Sequence, residues 1–160
     1  MLRIGVTGSG FMGRTHVEAA RRLGSTEIVA VAGGSRAAGL AEDYGIVCEA
    51  DSHSLLVRPD IDAVVISTPH HCHVDEALLA AGHGKHALVE KPLATSVADC
   101  DRLIEAFADG ELTLAVGYHQ RFRESNRTVR DLVQSGAIGQ VRAIQMSALF
   151  DIEVLRQDEG

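Results

Sequence analysis

The amino-acid sequence predicts an α/β fold built on a doubly wound parallel sheet, with the start of a second α/β domain behind it. Three observations predict this. Short apolar runs alternate with stretches of helical periodicity along most of the 160 residues. The first run, Leu2-Arg3-Ile4-Gly5-Val6-Thr7, passes directly into Gly8-Ser9-Gly10-Phe11-Met12-Gly13. A segment with Val17, Ala20 and Leu23 at helical spacing then follows.

Each glycine between that strand and that helix answers a separate need. Gly8 permits the tight turn out of the strand. Gly10 lets a pyrophosphate reach the backbone with no Cβ in the way, and Gly13 lets the helix pack closely. The helix N-terminus, opened by Phe11 and Met12, offers free N–H groups and partial positive charge to phosphates. Among sixteen glycines a bare GxGxxG is a weak signal. The strand before it and the helix after it favour a dinucleotide site in a Rossmann sheet over an ordinary glycine-rich turn.

The remaining elements follow in order. Glu27 to Ala32 is a second buried strand that ends in Gly33-Gly34-Ser35-Arg36, and residues 36–44 suit a helix closed by Gly45. Ile46-Val47-Cys48 is a short strand, and Asp51-Ser52 caps a short helix through Val57. Asp60 to Ile66 is the clearest buried strand; it runs into Ser67-Thr68-Pro69 and a helix over 71–81, stopped by Gly82. His86 to Val89 is the next strand, leading into Glu90-Lys91-Pro92. Ser96 caps a helix whose apolar face is Val97, Cys100, Ile104 and Phe107, and Leu112 to Val116 is a further strand. Residues 122–134 form a helix with Val129, Leu132 and Val133 on one face. Val141 to Ser147 reads as a strand with one wetter face. The resulting boundary puts a nucleotide-binding domain at 1–118 and the beginning of a second domain at 119–160.

Composition narrows the function classes. A formal net charge of −7, with basic residues scattered, argues against nucleic acid and against an anionic membrane surface. No apolar stretch reaches the roughly 18 residues of a membrane span, and no signal segment precedes the first strand. A cytoplasmic protein is expected. Cys48, Cys72 and Cys100 are widely spaced and read as reduced, mostly buried thiols.

Four stretches read together are more specific: GSGFMGRTH at 8–16, STPHHCHVDEALLAAGHGKH at 67–86, VEKPLA at 89–94 and VGYHQRFRESNRTVRDLVQSGAIGQV at 116–141. In this order they resemble the glucose-fructose oxidoreductase, inositol dehydrogenase and rhizopine-catabolism (Gfo/Idh/MocA) family of NAD(P)-dependent oxidoreductases. The resemblance implies hydride transfer between nicotinamide and a sugar, cyclitol or related polyol. It also implies a homo-oligomer at full length. Members generally have a whole second domain, so a truncated chain is expected here; a nucleotide-binding module without turnover is the alternative.

The resemblance further assigns residues. Lys91 becomes the catalytic residue, moving the proton of the substrate hydroxyl, a role that needs desolvation or nearby positive charge to loosen an ammonium proton. Glu90 positions the cofactor or the lysine, and a cis Lys91–Pro92 bond aims the lysine into the cleft. The turn Ser67-Thr68-Pro69 lies along the nicotinamide ribose and pyrophosphate. His73 matches a histidine found at the following helix start, either beside the cofactor or as a packing residue.

Cofactor choice turns on the end of the second strand. Gly33-Gly34-Ser35-Arg36 holds no carboxylate to accept from a ribose 2′-hydroxyl, the usual NAD feature. Ser35 and Arg36 suit a 2′-phosphate instead, so NADP is favoured over NAD. The alternative is that Arg36 only begins the next helix. His70, His71, Cys72 and His73 invite a metal-dependent hydrolase reading, but adjacent helical residues point to different faces, and no metal is expected.

Overall fold

The first half of the chain runs β1 (Leu2–Thr7), α1 (Phe11–Arg21), β2 (Thr26–Ala32), α2 (Ala37–Tyr44), β3 (Val47–Cys48) and α3 (Ser52–Leu56). The second half runs β4 (Ala63–Ile66), a 3-10 turn at His70–Cys72, α4 (His73–Gly82), β5 (His86–Val89), α5 (Val97–Ala106) and β6 (Leu114–Val116). The computed structural model describes residues 1–147 and divides the chain into two compact units, Met1–Gly117 and one beginning at Tyr118. In the first unit six strands form one parallel sheet in the order β3-β2-β1-β4-β5-β6. The chain works outward from β1 to one edge, returns to β4, then works outward to the other edge. That reversal leaves a crevice at the carboxyl ends of β1 and β4.

Strand alternation divides the core into two layers. Along β4, Val64 and Ile66 face one way with Leu55, Leu56, Val74, Ala77, Leu103 and Phe107. Ala63 and Val65 face the other way with Val17, Ala20, Leu40 and Ala41. Both faces of the central strands are therefore covered by helices, which is why they read as unbroken apolar runs. Cover on the second face is incomplete: Ile4, Ala63, Val65, Leu88 and Ala115 line an open apolar trough of about 440 Å³.

Several expected features differ. Helix α1 ends at Arg21, so Leu23 lies past it and is exposed. The register of the strand expected from Asp60 begins at Ala63, although the Asp62 N–H already donates to Arg3 O at 2.9 Å; the carboxylates of Asp60 and Asp62 turn to Arg58 and Arg3. Gly82 ends α4 in place, while the left-handed residue that turns the chain is Gly84, at φ +68. The buried stripe of α5 is Leu103 and Phe107; Val97 and Ile104 are exposed, since the helix covers the sheet along one narrow seam. Nor are the thiols mostly buried: Cys48 is exposed on the edge strand β3, and Cys72 and Cys100 are half-buried.

The second unit holds a 3-10 turn at His119–Phe122 and α6 (Glu124–Gln134). Asn126 Nδ2 donates to Gln120 O at 2.7 Å, and Arg127 lies over the Phe122 ring. Val141 to Ser147 forms no strand, contrary to the pattern, because a strand exists only when a neighbour pairs with it and the described residues supply none.

Candidate functional site at the carboxyl edge of the sheet

The glycine loop closes the gap between β1 and α1 on very short contacts. Gly8 has φ +89, and its N–H donates to Ala32 O at 2.8 Å. A Cβ on Gly8 would stand 2.4 Å from Ser67 O, and a Cβ on Gly13 would stand 1.9 Å from Gly8 O. Gly13 therefore serves the packing of α1 on the loop itself. Gly10 differs: a Cβ there meets no atom within 4 Å. Gly10 is also the N-cap of α1, which has no side-chain cap and no acidic residue in its first turn. Phe11 is exposed and Met12 half-buried above it. The site thus offers an uncapped helix N-terminus and an open backbone face, features that fit an anionic pyrophosphate.

The turn after β4 is locked from within. Ser67 Oγ donates to Thr7 O at 2.7 Å. The hydroxyls of Thr7 and Thr68 both donate to Glu76 Oε2, at 2.6 and 3.1 Å. These side chains hold the loop's shape, so what the turn presents outward is backbone and the exposed Pro69.

Past β5, Glu90 is buried and fully engaged. Its Oε1 lies 2.9 Å from His16 Nε2 on α1, and its Oε2 accepts from the Lys91 N–H at 3.2 Å. A Cβ on Gly117, just beyond β6, would stand 2.9 Å from Glu90 Oε1, so that glycine leaves room for the carboxylate. The Lys91–Pro92 peptide is cis. Lys91 itself is exposed, and its ammonium has no hydrogen-bond or ion-pair partner among the described residues. His73 is wholly buried; Nδ1 lies 2.8 Å from Pro92 O and Nε2 2.9 Å from Thr68 O. No ring nitrogen of His73 is left for a ligand.

Ser35 and Arg36 are exposed at the end of β2, beyond Gly33 and Gly34 at φ +78 and +82. Burial, helped by Glu76 and Asp75, pushes the Cys72 thiol up from its usual range, which keeps it protonated. Among the described residues no three His, Cys, Asp or Glu side chains converge as a metal-ligand set.

The structure thus brings the glycine loop, the Ser67-Thr68-Pro69 turn and Lys91 to the ends of three adjacent strands, with Ser35 and Arg36 at the end of a fourth. Sequence reasoning assigned no role to His16, Thr7, Glu76 or Gly117. Of these only Thr7 lay outside the four quoted stretches, and nothing in the spacing of His16, Glu76 or Gly117 pointed to their partners.

Comparison with known proteins agrees with this fold. Residues 2–118 match the model of the Gfo/Idh/MocA oxidoreductase family, described as having an NAD-binding Rossmann fold. Inositol 2-dehydrogenase 3 of Saccharopolyspora erythraea is 35% identical over 142 residues, 86% of this chain and 42% of that protein. A dTDP-3,4-didehydro-2,6-dideoxy-alpha-D-glucose 3-reductase of Streptomyces violaceoruber is 39% identical over 161 residues, 99% of this chain and 46% of that protein. The scyllo-inositol dehydrogenase of Lactobacillus casei, solved with NAD(H) and scyllo-inositol bound, superimposes with a TM-score of 0.82 at 26% identity, covering 88% of this chain and 43% of that one. The chain spans less than half the length of each.

Proposed function

This chain belongs to the Gfo/Idh/MocA oxidoreductase family, and from that premise we propose that it is the cofactor-binding part of an NAD(P)-dependent oxidoreductase acting on a sugar, cyclitol or related polyol. The observation that carries the proposal is one juxtaposition. An open, uncapped glycine loop and a solvent-facing lysine stand at the carboxyl ends of the adjacent strands β1, β4 and β5.

In this proposal the backbone of Gly8, Gly10, Phe11, Met12 and Gly13 holds the pyrophosphate at the N-terminus of α1. The backbone of Ser67, Thr68 and Pro69 lines the neighbouring stretch. When bound, the nicotinamide supplies the hydride acceptor at its C4. Lys91 Nζ takes the proton of the substrate hydroxyl as general base. Glu90, held by His16, fixes the backbone from which that lysine extends.

Ser35 and Arg36 favour NADP(H), the arginine through a charge-assisted contact with a 2′-phosphate. Residues 119–160 begin the second domain. A cytoplasmic homo-oligomer completes the proposal.

Titration with NADPH and NADH tests the cofactor half. We expect NADPH to bind about 10-fold tighter or better, a charge-assisted contact contributing about 1.5–3 kcal/mol. Arg36→Ala should remove the difference. Equal or tighter NADH binding sinks the NADP assignment, and binding of neither sinks the cofactor proposal. Reduction of NADP⁺ by a panel of inositols and sugars tests the rest. Cofactor binding without turnover on the panel would favour a binding module instead.

A further inference from the structure

With Lys91 past β5, the nicotinamide end of the proposed cofactor lies toward that side of the sheet. A pyrophosphate held at the glycine loop then sends the other end the opposite way, across the exits of β2 and β3. The chain leaves each of the strands β1, β2 and β3 near that corner. Ser9 follows β1, Gly33-Gly34-Ser35 follows β2, and Ser52 opens α3 beyond β3.

The double glycine sets the character of this corner. Gly33 and Gly34 both lie in the left-handed region, at φ +78 and +82, where a side chain is strained. Space is short as well. A Cβ on Gly33 would stand 3.2 Å from Ser52 Oγ, and one on Gly34 would stand 2.6 Å from Ser9 Oγ. The first two residues past β2 therefore bring no carboxylate, and two serine hydroxyls flank them instead.

Neither hydroxyl has a hydrogen-bond partner among the described residues. Ser52 is half-buried, but Ser9 is only 5% exposed, and a hydroxyl placed so deeply is costly to leave unpaired. Every fully enclosed side-chain nitrogen or oxygen among the described residues has a partner, so Ser9 Oγ keeps an opening to solvent. Ser67 and Thr68 differ, since their hydroxyls are committed to Thr7 O and Glu76. Of the acids on the loop into α3, Glu49 is paired with Arg58, and Asp51 accepts from the Ser54 N–H at 2.7 Å.

We propose that Ser9 and Ser52 are specificity-determining residues whose hydroxyls donate to the 2′-phosphate of NADP(H). The inference rests on the cofactor reading above and adds to Ser35 and Arg36 two donors from outside the β2 turn. A hydroxyl can turn its proton toward an anion, whereas a carboxylate at this place would repel one. Ser9, Ser35 and Ser52 come from separate stretches of chain. Together they suit a group with three acceptor oxygens better than a single ribose hydroxyl.

Titration with adenosine 2′,5′-bisphosphate and with 5′-AMP tests this end of the cofactor alone, because both probes carry the 5′-phosphate assigned to the glycine loop. The unmutated chain should bind the bisphosphate about 10-fold tighter or better. The amide NMR signals of Ser9 and Ser52 should shift with the bisphosphate and stay in place with 5′-AMP. Ser9→Ala and Ser52→Ala should each weaken the bisphosphate about 10-fold and leave 5′-AMP within about 2-fold. Equal binding of the two probes, or binding of neither, overturns the inference without recourse to any variant. If the bisphosphate is preferred but the serine variants bind it undiminished, the inference fails and the NADP(H) assignment stands. If both serines hold the bisphosphate and the unmutated chain binds neither NADPH nor NADH, the cofactor proposal alone fails.

Discussion

Gly13→Ala asks whether the glycine loop is closed by packing against itself. A Cβ at residue 13 stands 1.9 Å from Gly8 O, 2.9 Å from the Gly8 carbonyl carbon and 3.2 Å from Ser67 Oγ. The Gly8 atoms cannot swing away. Gly8 N–H is bonded to Ala32 O at 2.8 Å, and Ser67 Oγ donates to Gly8 O at 3.2 Å. Helix α1 must therefore retreat by more than an ångström, lifting a seam that buries Val17 completely and Ala20 nearly so. Overpacking costs about 1–3 kcal/mol, and backbone obstruction puts this case at the upper end. For a unit of this size about 3 kcal/mol lowers the thermal midpoint by roughly 10 °C.

Gly10→Ala supplies the contrast, because its Cβ meets no protein atom within 4 Å and its backbone, at φ −74 and ψ −168, suits alanine. Stability should change by no more than about 0.5 kcal/mol. NADPH affinity should still fall about 10-fold or more, since the methyl group fills the face offered to the pyrophosphate. Calorimetry and NADPH titration on the two variants separate the roles. A Gly13→Ala protein that melts with the unmutated chain refutes the packing argument. A Gly10→Ala protein that binds NADPH undiminished refutes the placement of the pyrophosphate.

Other substitutions reach the remaining parts. Leu103→Ala should destabilise by about 2–5 kcal/mol, and Ile104→Ala, one residue on, by at most about 0.5 kcal/mol; denaturant midpoints read both, and the reverse order would mean that α5 has been placed on the wrong face. His16→Ala leaves the buried Glu90 Oε1 without its partner and should cost about 1–3 kcal/mol, with weaker NADPH binding that His16→Gln partly restores; a thermal midpoint unmoved by His16→Ala would deny the pair its role. Asp62 accepts from Arg3 at 2.6 Å, and that contact holds its carboxyl well below the ordinary value. Its contribution is therefore present above the unfolded value of about 3.9 and is lost as pH falls below that toward the depressed folded value. Asp62→Asn should accordingly flatten the acid limb of a stability-versus-pH curve and leave the slope above about pH 6 untouched; an unaltered acid limb would show that the ion pair contributes nothing.

What was legible in the sequence was what neighbours in the chain decide. The strands β1, β4 and β5 show as apolar runs because both faces are buried, and the Ser96 cap works as its type suggests, accepting from the Asp99 N–H at 3.1 Å. Errors arose where a distant partner decides. Val97 and Ile104 are as apolar as Leu103 and Phe107, and only the position of the sheet beneath α5 separates buried from exposed. Val141 to Ser147 has a strand's composition without a strand's neighbour.

The site divides along the same line. Gly13 acts on the nearby Gly8 carbonyl, and Gly8, Gly10 and Gly13 lie together between one strand and one helix, so their spacing carries much of their meaning even though Gly8 also clears Ser67 O. His16 reaches Glu90 across 74 residues, Thr7 reaches Glu76 across 69, and His73 joins carbonyls on two different turns. No local pattern encodes such contacts. Ser67 and Thr68 show the consequence most clearly: hydroxyls beside a cofactor crevice look like ligand contacts, yet both are spent on Thr7 O and Glu76. Residue type said that hydrogen bonds would form at this edge, and only the fold decided their direction. The ligand-facing surface of that turn is consequently more backbone than side chain. Substitutions there that add a methyl group should therefore damage binding more selectively than those that remove a hydroxyl, whose first effect is on the shape of the loop.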